Sequence, residues 1–128
     1  MVPERTGIIK FAGQDQTIVG NDIQVGQKAP NFTIQKNDWS LSKGMKETRR
    51  KVRIILSVSS LDTSVCDRET RRFNEEASKL GKGIAVLVVS MDLPVTQKRW
   101  CGAAGVDQVI TVSDAIKADF GKKYGTLM

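Results

Sequence analysis

Residues 57–66 read Ser57-Val58-Ser59-Ser60-Leu61-Asp62-Thr63-Ser64-Val65-Cys66, and the change of pattern across them decides the fold. Upstream, Lys51 to Val58 carries Val52, Ile54, Ile55, Leu56 and Val58, a near-continuous apolar run. Such a run predicts a strand buried on both faces. Downstream, Cys66, Thr70, Phe73, Ala77 and Leu80 recur at helical spacing, with Asp67, Arg68, Arg71, Glu75 and Lys79 kept off that stripe. Thr63 is a suitable N-cap, so Ser64 is expected to be the first helical residue and Cys66 to sit in the first turn. A cysteine there lies among unpaired N–H groups at the positive end of the helix dipole. Nowhere else do residue type and expected geometry together point to reactive chemistry.

Working outward, Gly81-Lys82-Gly83 stops that helix, because glycine tolerates the left-handed conformation of a helix C-terminus. Ile84 to Val89 is a second buried strand, and strand, helix and strand together imply a parallel, right-handed crossover. Asp92 and Pro94 open a shorter helix that ends at Gly102 to Gly105. Gln108 to Val112 is expected to be a third strand, and Ser113 to cap a final helix through Ala115 and Ala118 towards Phe120 and Tyr124. On the N-terminal side, Leu41 to Arg50 is a polar, weakly helical connection. Val25 to Ser40 is loop and short strand, with Pro30 unsuited to a central strand. Gly7 to Ala12 and Thr17 to Gly20 flank Gly13-Gln14-Asp15-Gln16 and read as a hairpin over about residues 7–20. The pattern is α/β, expected as one domain over 1–128.

Composition narrows the chemistry. The 128 residues are 40% hydrophobic and 27% charged, ordinary for a globular chain able to bury a core. No apolar run approaches the roughly 20 residues a membrane span needs. The start, Met-Val-Pro-Glu-Arg, leads into no signal-peptide core, so a cytoplasmic location is expected. In that reducing compartment a disulfide between the two cysteines would be transient and catalytic. Their spacing offers neither a Cys-x-x-Cys motif nor a zinc site. The absence of histidine removes the usual general base and the commonest metal ligand. A net charge of +6, densest at Arg49-Arg50-Lys51 and Arg53, raises the question of nucleic acid. With seven aromatics and no binding motif beside that cluster, solvated loop charges are the preferred reading.

Three blocks, in order, carry a resemblance. Ser60-Leu61-Asp62-Thr63-Ser64-Val65-Cys66, continued by Arg71-Arg72-Phe73-Asn74, resembles the peroxidatic-cysteine segment of the peroxiredoxins, and within them the atypical two-cysteine thiol peroxidases. Ser90-Met91-Asp92-Leu93-Pro94, followed by Gln97-Lys98-Arg99-Trp100-Cys101-Gly102, resembles that subfamily's resolving-cysteine segment. Val25-Gly26-Gln27-Lys28-Ala29-Pro30-Asn31-Phe32 is similar to its entry motif. The resemblance implies a thioredoxin-like fold in which the C-terminal strand pair and helix are missing, and with them the family's active-site arginine. It also places Ser59 where the family has proline.

The resemblance implies a cycle as well. Cys66 would reduce hydrogen peroxide and organic hydroperoxides, becoming a sulfenic acid. Cys101 would condense with it into an intramolecular disulfide, and thioredoxin would recycle the enzyme. Thr63 would hydrogen-bond both peroxide and sulfur. No metal or prosthetic group is implied; a homodimer is, with no nucleic-acid or membrane partner. Only the thiolate attacks, so the Cys66 pKa decides the rate. The helix dipole is worth about 0.3–1 kcal/mol against about 1.4 kcal/mol per pKa unit, which leaves mostly thiol at neutral pH. Arg68, Arg71 and Arg72 project off the stripe, while Lys98 and Arg99 are expected to favour a Cys101 thiolate. The alternative is therefore a catalytically impaired redoxin-fold protein that acts as a thiol sensor or binding module.

Overall fold

In the computed structural model, which describes residues 2–128, the chain opens with an antiparallel hairpin of β1 (Glu4–Phe11) and β2 (Gln14–Val19). Ala12 and Gly13 make its turn with φ of 51° and 80°. Two consecutive positive φ angles give a turn whose twist matches the strands it joins. Then follow β3 (Thr33–Gln35), β4 (Leu41–Lys43), the single-turn α1 (Gly44–Glu47), β5 (Val52–Ser57) and α2 (Ser64–Ala77). β6 (Ile84–Ser90), α3 (Pro94–Ala104), β7 (Ile110–Ser113) and α4 (Asp119–Tyr124) complete the order.

Five strands form the main sheet in the order β4-β3-β7-β6-β5, with β5, β6 and β7 parallel to one another. β6 is its most buried strand. Successive side chains of a strand point to opposite faces, and the β6 sequence Val86-Leu87-Val88-Val89 is apolar on both. Val86 and Val88 join Leu56, Val58, Leu61 and Trp100 in one cluster, against which Phe73 and Ala77 of α2 and Cys101 and Ala104 of α3 pack. Leu87 and Val89 join Phe32, Ile34, Val112 and Phe120 in the other. Both cysteine-bearing helices thus cover the same face.

The expected strand, helix and strand crossover is present, and it carries several corrections. β5 is not buried on both faces: Val52 is 66% exposed, and only Leu56 within the strand is buried. Among the described residues β5 pairs with β6 alone, so it lies at the sheet edge. α2 stops at Ala77, leaving Leu80 beyond the helix and exposed. Thr63 occupies the N-cap position, yet its side chain makes no capping bond. Ser113 belongs to β7 and does not cap the last helix. Asp114 does so instead, accepting from Phe120 N and Gly121 N at 2.9 Å each. The left-handed Ala118, at φ 52°, breaks the helix that the sequence suggested from Ala115 onward.

Candidate active site

The loop between β5 and α2 positions the cysteine. Ser60 Oγ donates to Asp92 Oδ1 at 2.7 Å, and Leu61 N to Asp92 Oδ2 at 2.8 Å. Ser90 Oγ donates to the same Oδ2 at 2.8 Å. One carboxylate just past β6 therefore fixes the loop that leads to Cys66. Leu61 is fully buried in the adjoining cluster, which anchors the loop from below. The first α-helical bond, Asp67 N to Thr63 O at 2.8 Å, then starts α2 and sets Cys66 at its third position.

Cys66 is half-buried and opens on a cleft of about 830 Å³. Val58, Ser59 and Met91 line it together with Ile8, Phe11 and Ile18 of the hairpin. Ser59 Oγ lies 3.8 Å from Cys66 Sγ, within hydrogen-bonding range for sulfur. Burial pushes the Cys66 thiol up, but hydrogen bonds from the Thr63 and Ser59 hydroxyls and from the Ser60 and Ser59 backbone outweigh it. The net result is a value below that of an ordinary thiol. The leading influences include no cation.

Thr63 is exposed, and its hydroxyl donates to Ser60 O at 2.8 Å. A hydroxyl has one proton, so its help to the sulfur requires that proton to turn from the carbonyl. Cys101 contrasts with Cys66. Burial raises its thiol, with only the Thr111 hydroxyl, 3.5 Å from the sulfur, acting the other way. Lys98 and Arg99 are exposed and are not among the groups acting on it, contrary to expectation. Both cysteines are free thiols that border the same apolar cluster.

Two contributors escape a reading of the sequence. Ser59 registers there only as a departure from proline, although its position beside Cys66 places a hydroxyl on the sulfur. Asp92 registers only as a helix opener, because its loop partners lie 31 and 32 positions away. Among the described residues no three His, Cys, Asp or Glu side chains gather as a metal site, and no helix is long and apolar enough to cross a membrane.

Known proteins show the family and the fold. The Redoxin family model matches residues 24–128. The thiol peroxidase of Halalkalibacterium halodurans is 51% identical over 117 residues, which cover 91% of this chain and 69% of that protein. The thiol peroxidase of Bacillus subtilis is 47% identical, with the same shares covered. Among solved structures, a peroxiredoxin-like protein from Aquifex aeolicus matches with a TM-score of 0.82 at 36% identity, over 97% of this chain and 69% of that one. The fold is thioredoxin-like, and the chain belongs to the redoxin family as one of its thiol peroxidases.

Proposed function

We propose that this chain reduces hydrogen peroxide and organic hydroperoxides at Cys66. The observation that carries the reading is the Cys66 thiol: it opens on the cleft, and hydroxyl and backbone hydrogen bonds hold it below the ordinary thiol value. The thiolate attacks one peroxide oxygen, the O–O bond breaks, and water or an alcohol leaves after taking a proton. Cys66 is left as a sulfenic acid. Cys101 then displaces the sulfenic oxygen as water to form an intramolecular disulfide, and two electrons from thioredoxin restore both thiols. A cytoplasmic location fits the reducing chemistry of that last step, and the family resemblance implies a homodimer. Thr63 serves by turning its hydroxyl towards peroxide or sulfur.

A second reading, a slow thiol sensor or binding module, is favoured by one observation: no cation is among the leading influences on Cys66. Peroxide consumption with thioredoxin and its reductase separates the two. Sustained turnover that Cys66→Ser abolishes supports the peroxidase. A single stoichiometric oxidation with no turnover supports the sensor.

A further inference from the structure

The two cysteines stand over different strands. Cys66 Sγ lies 3.8 Å from Ser59 Oγ, just past the end of β5, whereas Cys101 Sγ lies 3.5 Å from Thr111 Oγ1 on β7. β6 runs between those strands. Neighbouring strands are about 4.8 Å apart, which separates the sulfurs by on the order of 10 Å. A disulfide needs an S–S distance of about 2 Å and Cα atoms within about 7 Å. Bridging therefore requires the first turn of α2, the end of α3, or both to leave their present places.

One side-chain group opposes that movement. Trp100 Nε1 donates to Asp67 Oδ1 at 2.8 Å, and Arg71 Nε reaches both Asp67 oxygens at 3.1 Å. The Arg71 guanidinium lies 5.5 Å from the Trp100 ring centre, and Trp100 is only 9% exposed. Asp67 follows Cys66 directly, and Trp100 directly precedes Cys101. The group thus ties together the chain neighbours of both cysteines. A second tie sits further along α2, where Asn74 Oδ1 accepts from Asp107 N and Gln108 N at 3.2 and 2.7 Å. It pins the last turn of the helix, at the far end from Cys66.

We propose that Asp67 and Trp100 are positioning residues that form a latch, which holds both cysteines in the peroxide-reactive arrangement and must open before they bridge. This rests on reading Cys66 as the thiol that meets peroxide and Cys101 as the one that resolves it. In the step the latch controls, the Cys101 thiolate attacks the Cys66 sulfenic sulfur. The S–S bond forms as the S–O bond breaks, and the leaving hydroxide departs as water with the proton given up by the Cys101 thiol. A closed latch prolongs the sulfenic acid and gives a second peroxide time to carry it to sulfinic acid.

Trp100→Phe keeps an aromatic ring and removes the N–H donor; Asp67→Asn keeps an acceptor and removes the charge that holds Arg71. After addition of hydrogen peroxide and timed quenching, mass spectrometry counts Cys66 sulfenic acid, the bridge and sulfinic acid. Because the closed arrangement is the peroxide-reactive one, Trp100→Phe should oxidise Cys66 no faster than the wild type. It should form the bridge about tenfold faster, the scale of a hydrogen bond to a charged group, and leave less sulfinic acid in excess peroxide. Asp67→Asn should accelerate the bridge in the same direction. Val109→Ala, a truncation in the same cluster that spares the latch, controls for general loosening, and equal acceleration there would overturn the latch. In the wild-type protein, the Trp100 indole N–H signal should shift and exchange faster with water once the bridge has formed. An unmoved signal overturns the latch alone. A sulfenic acid at Cys66 with no bridge in any variant overturns the resolving role of Cys101, and the latch with it.

Discussion

At Ser59 the chain carries a hydroxyl where its family resemblance calls for proline, and that hydroxyl faces the reactive sulfur at 3.8 Å. Its hydrogen bond is one of the influences that lower the Cys66 thiol. Ser59→Ala should therefore raise the Cys66 pKa and slow its alkylation at neutral pH by roughly two- to tenfold, the worth of one ordinary hydrogen bond. Alkylation rate against pH reads the thiolate directly. Because only the thiolate reacts, a lowered pKa moves the Cys66 profile below that of an ordinary thiol, while burial moves the Cys101 profile above it. A profile in which Cys101 reacts at the lower pH would contradict this electrostatic account. The same shifts link to stability with opposite signs. Cys66 contributes stability above the ordinary thiol value of about 8.5, and that contribution is lost as pH falls through its folded value. The contribution of Cys101 is present below the ordinary value and is lost as pH rises through its folded one.

The elements show why some of this structure is written locally and some is not. The stripe Cys66, Thr70, Phe73 and Ala77 was legible because a helix face repeats within a few residues. All four lie on α2, with Thr70 fully buried. Asp92 was not legible, since the loop it holds lies a whole helix and strand upstream. Asp92→Ala would strand the buried N–H of Leu61 and free Ser60. Peroxide reactivity of Cys66 should fall about tenfold, the scale of a lost hydrogen bond to a charged group, while circular dichroism stays unchanged. At the same end of the sheet, just past β7, Asp114 is 3% exposed; burial raises its carboxyl, and the two N–H groups that donate to it act the other way. Asp114→Ala leaves both donors of α4 unpaired and should cost about 2–4 kcal/mol by chemical denaturation. Adjacent Ser113 looked the better cap by residue type, but the register of β7 turns its hydroxyl towards Asp92 O.

Across the whole molecule, the position of β5 matters most. Its apolar sequence suggested burial on both faces. The strand pair that the resemblance implies is missing would instead leave it an open edge, and an edge is what the sheet order gives. Val52 N and Val58 N bond towards β6, so by alternation the N–H groups of Arg53, Ile55 and Ser57 face the open edge. An open edge beside the apolar cleft is a template for association. Hydrogen exchange in dilute monomer should find those three amides fast and Ile54 and Leu56 slow, with the fast set slowing as concentration rises. Uniform protection of the strand in a monomer would show the edge to be covered. The path from open cleft to half-buried partner thiol is the centre of the account, and peptide mapping after one equivalent of hydrogen peroxide tests it most directly. The predicted product is a single intramolecular Cys66–Cys101 disulfide; an unmodified Cys66, or disulfides only between chains, would contradict it.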